Sequence, residues 1–349
     1  VQIGILGLKF TGKTTLFNAI TGSSQPTGQG GVETHLAVGH VPDPRLDRLT
    51  AMFNPKRKVA ASVEWLDVPG FESSGPGGAN ESARFLEHAR RVDALAQVVR
   101  CFDNGISEPD PVGELETVAL ELTLADLQVV ENRLEKLAKE KQRKGKVENP
   151  LEPPLFERFK TTLEEGVALR TLALNPDEAK LTSGFSFLTL KPMIVVLNGG
   201  EDGVPAATAA AAAPFGAAVV DLCAKVEEEL GELSEEERLE FLSDLGIEEP
   251  ASHRMIRAAY AALGLRSFFT VGEDECRAWT IRAGALAPEA AGTIHSDLQR
   301  GFIRAETIGY QALVDAGSLA EAKKANLMRL EGKQYEVLDG DVLNIRFSV

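Results

Sequence analysis

Cysteine is nearly absent from this chain: Cys101, Cys223 and Cys276 lie far apart, with no C-x-x-C pair among them. That spacing excludes a disulfide framework or a cysteine-based metal site. It leaves three small, mainly apolar side chains suited to a reducing compartment. No run of eighteen apolar residues occurs, so no membrane-spanning helix is predicted. The chain enters its first strand directly, without a basic and then an apolar segment, and a cytoplasmic protein with no membrane partner is expected. Positive charge is also short. The 37 Lys and Arg against 52 Asp and Glu give a net −15, which excludes a protein that coats nucleic acid over its whole surface but not one with a local basic patch. What remains, 44% apolar and 26% charged residues over 349 positions, is enough for two or three domains with full-sized cores.

Against that background one segment is dense in chemistry. Gly7-Leu8-Lys9-Phe10-Thr11-Gly12-Lys13-Thr14 fits the P-loop pattern G-x-x-x-x-G-K-[ST], between an apolar strand (residues 2–6) and a helix that starts at Lys13 and carries Leu16, Phe17 and Ile20 on one face. In this setting the backbone N–H groups of Lys9, Phe10, Thr11, Gly12, Lys13, Thr14 and Thr15 converge on phosphate. Lys13 reaches the β- and γ-phosphates, and the Thr14 hydroxyl is a ligand for Mg²⁺. Gly4, Gly7 and Gly12 do not make G-x-G-x-x-G, which argues against a dinucleotide site.

The rest of the chain alternates strands and helices, the pattern of a parallel sheet. Residues 22–40 are polar, without an apolar period, and read as a loop. Asp43 and Pro44 are the N-cap and first residue of a short helix. A strand over 63–67 delivers Asp67 and Gly70 to the sheet edge where open α/β sheets bind ligands. A helix over 83–91 and strands over 94–99, 192–198 and 217–222 follow, with an Ala-rich helix over 206–213 and further helices over 224–264. Between 113 and 175, Leu115, Leu120, Leu122, Leu124, Leu127, Val130, Leu134 and Leu137 recur at helical spacing, then a polar turn, then a second helix over 156–169; this predicts an inserted hairpin. From about 266 the texture becomes β-rich, with strands over 268–271, 278–281, 335–338 and 342–349 and a hairpin signal at Asp339-Gly340.

Asp67-Val68-Pro69-Gly70 supplies the D-x-x-G of switch nucleotide hydrolases, Asp67 toward Mg²⁺ and the Gly70 amide toward the γ-phosphate. Asn198-Gly199-Gly200-Glu201 fills the slot where GTPases carry N-K-x-D, with the Lys missing and Glu201 in place of the Asp. Together with Val41-Pro42-Asp43-Pro44-Arg45-Leu46-Asp47, Val98-Val99-Arg100-Cys101-Phe102, Leu124-Ala125-Asp126-Leu127, Phe187-Leu188-Thr189-Leu190-Lys191-Pro192, Arg277-Ala278-Trp279-Thr280-Ile281 and the stretch from Ile294 to Glu306, these residues give a chain that resembles the YchF subfamily of Obg-like ATPases over nearly its whole length. The resemblance implies an α/β fold: a P-loop NTPase domain (1–112 and 176–265) with an inserted helical hairpin (113–175) and a C-terminal small α+β domain of the β-grasp-like TGS type (266–349). It also implies ATP preferred over GTP, Mg²⁺, an N-x-x-E base motif in Asn198, Gly199 and Glu201, Cys223 and Ala224 at the base edge, and partners in translation such as the ribosome.

Departures from the family pattern are specific. Lys9-Phe10-Thr11 stands where the family reads Pro-Asn-Val, and the loop before Val41 is shorter. Phe71 follows D-x-x-G in place of a water-positioning glutamine, and the loop Asp103–Asp110 lacks the histidine the family is thought to use. His35 reads either as a solvated loop histidine or as a candidate to orient water, with Thr34 as a candidate metal ligand; His88, His253 and His295 read as capping or packing residues. Residues 133–146 hold seven Lys or Arg against two Glu, and Lys141, Arg143, Lys144 and Lys146 mark the hairpin tip as a contact for RNA or a solvated face. The reading is an ATP-binding, slowly hydrolysing switch protein. Its alternatives are a GTPase and a nucleotide-gated binding module with little or no turnover.

Overall fold

A computed structural model describes residues 1–27, 33–71, 78–105, 107–244 and 249–348. In chain order it contains β1 (Gln2–Leu6), α1 (Lys13–Thr21), β2 (His35–His40), α2 (Pro44–Phe53), β3 (Arg57–Val59), β4 (Ser62–Asp67), α3 (Gly78–Arg91), β5 (Ala94–Arg100), α4 (Pro111–Lys144), α5 (Glu152–Glu164), α6 (Pro176–Thr182), β6 (Met193–Asn198), α7 (Ala206–Ala212) and β7 (Ala218–Leu222). There follow α8 (Ala224–Glu232), α9 (Glu235–Asp244), α10 (Ala251–Ala262), β8 (Leu265–Val271), β9 (Glu275–Arg282), α11 (Ala287–Ile294), α12 (Ser296–Arg300), β10 (Phe302–Gly309), α13 (Tyr310–Ala316), α14 (Leu319–Lys324), β11 (Arg329–Glu331) and β12 (Asp341–Phe347). The chain divides into two units, Val1–Ala37 with Glu64–Met255, and Val38–Val63 with Ile256–Val349.

In the first unit the strand order is β2-β4-β1-β5-β6-β7, with β1 parallel to β4 and β5, and β5-β6-β7 parallel in turn. Every residue of β5 and β6 is buried, which is why their sequences run apolar without alternation. Crossover helices α1 and α3 cover the sheet. Phe71, Phe85, Leu95, Val118 and Met193 form one of its cores, each such side chain stabilising by roughly 1.5–3 kcal/mol.

The hairpin is α4 and α5. Asp110 caps α4, its Oδ1 accepting from Gly113 N at 3.0 Å, Pro111 opens the helix, and Gly145 at φ 75° ends it. Val130, Leu155, Phe156, Phe159 and Leu163 fill the interface. Arg133 donates to both carboxylate oxygens of Glu152, at 2.8 and 2.7 Å. Asp126, fully buried in α4, accepts from Leu188 N, Thr189 N and the Thr189 hydroxyl, tying the hairpin to the segment that leads into β6. Leu120 and Leu124, by contrast, face solvent.

The second unit holds a sheet in the order β11-β10-β12-β8-β9-β3, in which β12-β8 and β9-β3 are parallel and the other pairs antiparallel. Phe268, Ile281, Ala291, Phe302 and Leu343 lie in its core beside α11.

Three sequence expectations need correction. Residues 22–40 are not all loop: His35–His40 form edge strand β2, hidden from the pattern because Leu36 and Val38 point to solvent. Residues 28–32 of that stretch lie outside the described residues, as do Ile106, 245–248 and Val349. Residues 335–338 form no strand, and Asp339-Gly340 joins no hairpin. The partners of β12 are β10 and β8, and Asp339 instead accepts from Ser267 N and pairs with Arg45. β10, β11 and β3 did not stand out in sequence, β3 and β11 because each is three residues long and largely exposed.

Candidate nucleotide site

Four strands, β1, β4, β6 and β7, end beside candidate residues at the same edge of the first sheet. β1 runs into the P-loop, β4 ends on Asp67, β6 on Asn198, and β7 leads into Cys223 and Ala224 at the start of α8. This is the C-terminal edge of a parallel sheet, where helix N-termini and loops converge.

The P-loop conformation is held from several sides. Gly12 sits at φ 88°, and a Cβ there would lie 2.2 Å from Asn198 Nδ2. Asn198 explains that closeness. Its Nδ2 donates to Thr11 O at 2.9 Å and its Oδ1 accepts from Ala224 N at 2.9 Å, so one buried amide joins the P-loop to the start of α8. Phe10 is half-exposed at φ 61°, a backbone conformation that bulky residues rarely adopt. The buried Thr11 hydroxyl donates to Leu8 O at 3.2 Å.

The cleft beside this loop has a volume of about 310 Å³, and Lys9, Phe10, Gly12, Lys13, Thr14, Thr15, Pro26, Thr27, Glu33, His35, Asp67, Gly70 and Phe102 are among its lining residues. Within it the Thr14 hydroxyl donates to Asp67 Oδ2 at 2.8 Å. Asp67 Oδ1 is buried and has no hydrogen-bond partner among the described residues. A carboxylate with an open oxygen beside a hydroxyl suits Mg²⁺, which takes one or two protein oxygens and completes its shell with water and phosphate. Thr34, the other metal candidate, has its hydroxyl 3.3 Å from His88 Nε2.

Lys13 Nζ donates to Leu8 O at 2.5 Å. Its pKa falls to about 8, driven by burial and opposed by the nearby carboxylates of Asp67 and Glu114. Burial also raises Asp67, against the Thr14 hydrogen bond and the charges of Lys13 and His35. Desolvated cation and desolvated acid thus lie in one cleft, an arrangement that a polyanion with a divalent cation would relieve. Gly70 packs tightly here: a Cβ on it would lie 2.7 Å from Lys13 Nζ and 3.0 Å from Lys9 Cα. Phe71 is turned into the core, its ring centroid 4.4 Å from that of Phe85, so it takes no part in the cleft.

Beyond the end of β6, Gly199 N donates to Leu222 O at 2.7 Å and Glu201 is exposed on the turn between Gly200 and Gly203. Cys223 is half-buried at the N-cap of α8. None of these residues lines the phosphate cleft, though Asn198 connects the two regions. Of the other histidines, His295 caps α12 by accepting from Asp297 N. At the hairpin tip Lys141, Arg143, Lys144 and Lys146 are all exposed, with Lys144 3.0 Å from Glu140.

Two features were not anticipated. Phe102 joins the cleft wall, and Arg100 fixes its loop by donating to Phe102 O, Ser107 O, Ser107 Oγ and Glu108 O at 2.9–3.0 Å. Glu114, whose carboxylate accepts from Arg100 N at 2.9 Å, sends its field to Lys13 from the first turn of α4. Sequence offered only the run Arg100-Cys101-Phe102 as a signal, with nothing to mark Glu114 among other helix-start acids.

A phosphate-binding loop after β1 and an Asp at the end of β4, set on a parallel α/β sheet, define a P-loop nucleotide-binding protein of the GTPase class. A family model described as "50S ribosome-binding GTPase" matches residues 2–143, and a YchF-GTPase C-terminal model, described as a protein of unknown function, matches residues 265–348. The chain is 40% identical to the "Ribosome-binding ATPase YchF" of Bacillus subtilis (strain 168), with 99% of each chain covered. It is 33% identical to "Obg-like ATPase 1" of rice (Oryza sativa subsp. japonica), covering 100% of this chain and 92% of that protein. The structure of the Schizosaccharomyces pombe YchF GTPase superposes with a TM-score of 0.87 at 30% identity, covering 99% and 97% of the two chains. The chain belongs to the YchF family.

Proposed function

We propose that this protein binds ATP with Mg²⁺, hydrolyses it slowly, and acts as a nucleotide-dependent switch on the ribosome. The observation that carries the reading is the meeting of Lys13, Thr14 and Asp67 in one cleft, the hydroxyl 2.8 Å from the carboxylate. The relatives' names add the direction: the bacterial ones are called ribosome-binding ATPases.

In this reading the amides of residues 9–15 cradle the phosphates, Lys13 neutralises the β- and γ-oxygens, and the Gly70 amide meets the terminal phosphate. Thr14 and Asp67 would hold Mg²⁺, which neutralises phosphate charge when bound. Thr34 stays a secondary ligand candidate, and His35, from the start of β2, orients the attacking water. Asn198 positions the loop over the base, while Gly199, Glu201, Cys223 and Ala224 meet the base edge. Function divides along 1–112 with 176–265 for nucleotide, 113–175 for the hairpin and 266–349 for a TGS domain, with Lys141, Arg143, Lys144 and Lys146 touching RNA. The cytoplasm is the compartment that fits such a partner.

A GTPase is the second reading, favoured by the name of the fission yeast relative. Competition of unlabelled ATP and GTP against a labelled ATP analogue decides between them. ATP is expected to win by roughly tenfold, because Glu201 lacks the short bidentate reach of the Asp in N-K-x-D; equal or tighter GTP binding overturns the ATP reading. Single-turnover hydrolysis tests the third possibility, a binding module: a detectable first turnover supports the enzyme, and none supports the module.

A further inference from the structure

Lys9 brings a second cation to the wall of the phosphate cleft, beside buried Lys13. Its Nζ lies 2.9 Å from Glu81 Oε1, and the two side chains are 24% and 37% exposed. Glu81 belongs to the first turn of α3, where a carboxylate also meets the positive end of the helix dipole. The backbone of Lys9 is pressed onto the D-x-x-G segment: its Cα would lie 3.0 Å from a Cβ on Gly70, and Leu8 bridges Phe71 in parallel register. The place where the Gly70 amide meets a terminal phosphate is therefore flanked by two lysines, of which one is held by a carboxylate from another element.

We propose that the Lys9 ammonium reads the terminal phosphate, and that the γ-phosphate of a bound triphosphate competes with Glu81 for it. The inference rests on the nucleotide-site reading above and extends it to regulation. A partly exposed Lys–Glu pair is weakly held, and a phosphate oxygen carrying more charge at a cleft wall is the stronger acceptor. A diphosphate lacks that group and leaves the pair with Glu81. Triphosphate binding then loosens the Lys9–Glu81 tie between the P-loop and the first turn of α3, so the state of the nucleotide is felt in a helix outside the cleft.

The test is the ratio of ATP to ADP affinity, measured by calorimetry with Mg²⁺ on the full chain, for the wild type, Lys9→Met and Glu81→Gln. Competition predicts opposite signs. Lys9→Met lowers the ratio by about tenfold, the scale of one charge-assisted phosphate contact, and Glu81→Gln raises it severalfold by removing the competitor. A purely structural ion pair predicts that both variants lower the melting temperature and leave the ratio alone; that result, or a shift of both ratios in the same direction, overturns the proposal. Lys13→Ala in the same series separates two failures. If it retains ATP and ADP affinity, the nucleotide-site reading itself falls; if it loses both while the other two ratios stay put, only the role of Lys9 falls.

Discussion

Lys13 shows how a single side chain can store a site's preference for an anion. Its proton is lost from about pH 8 upward in the folded protein, whereas an unperturbed lysine keeps it to about 10.5. Below pH 8 both folded and unfolded chains hold the proton. Between the two values the unfolded chain binds more, so this group's contribution to stability rises with pH across that window. Bound phosphate reverses the balance by favouring the charged form. ATP affinity should therefore fall as pH rises past about 8, approaching one decade per pH unit, with proton uptake on binding that calorimetry at pH 9 in buffers of different ionisation enthalpy will reveal; a flat affinity from pH 8 to 10 would show that the Lys13 proton is not lost in that range. Phe10 stores the opposite quantity. At φ 61° it strains the loop by roughly 1–2 kcal/mol, so Phe10→Asn should raise unfolding stability by about 0.5–1 kcal/mol in urea titrations. His35→Ala should lower turnover tenfold or more with unchanged affinity, and no effect on turnover would leave His35 only its ring contact with Phe17.

At the scale of elements, legibility followed burial. β5 and β6 were readable because complete burial leaves a continuous apolar run, and α4 because one face recurs as Leu115, Leu122, Val130 and Leu137. β2 was not, since its apolar residues point outward and only pairing within the sheet defines it. The P-loop and D-x-x-G were legible as local motifs, whereas Glu114 and Phe102 reach the cleft through tertiary folding and carry no local mark. Runs that signalled the family turn out to be joints: Asp126 receives Leu188 and Thr189, and Lys191 donates to the last carbonyls around α3, those of Ala89, Arg90 and Val92. Asp126→Ala leaves two buried N–H groups unpaired, each worth roughly 1–3 kcal/mol, and should lower stability by about 2–4 kcal/mol in a urea titration. The tip of α4 is a different kind of element. Replacing Lys141, Arg143, Lys144 and Lys146 by Ala should weaken ribosome or RNA binding and flatten its salt dependence, since each phosphate contact releases counterions; an unaltered slope would make the tip a solvated face.

For the whole molecule, the net charge of −15 sets a background against which the seven Lys or Arg of residues 133–146 form a local basic patch. With Phe71 buried and His35 the imidazole among the described lining residues of the cleft, unassisted turnover is expected below about 1 s⁻¹, slow enough for bound nucleotide to define a lasting state. Whether the P-loop cleft holds ATP through Lys13 is decided by titrating Mg²⁺ and ATP into the wild type and Lys13→Ala, with thermal melting to verify that both are folded. Loss of detectable ATP binding in a folded Lys13→Ala protein is the predicted result; ATP affinity equal to the wild type would contradict it.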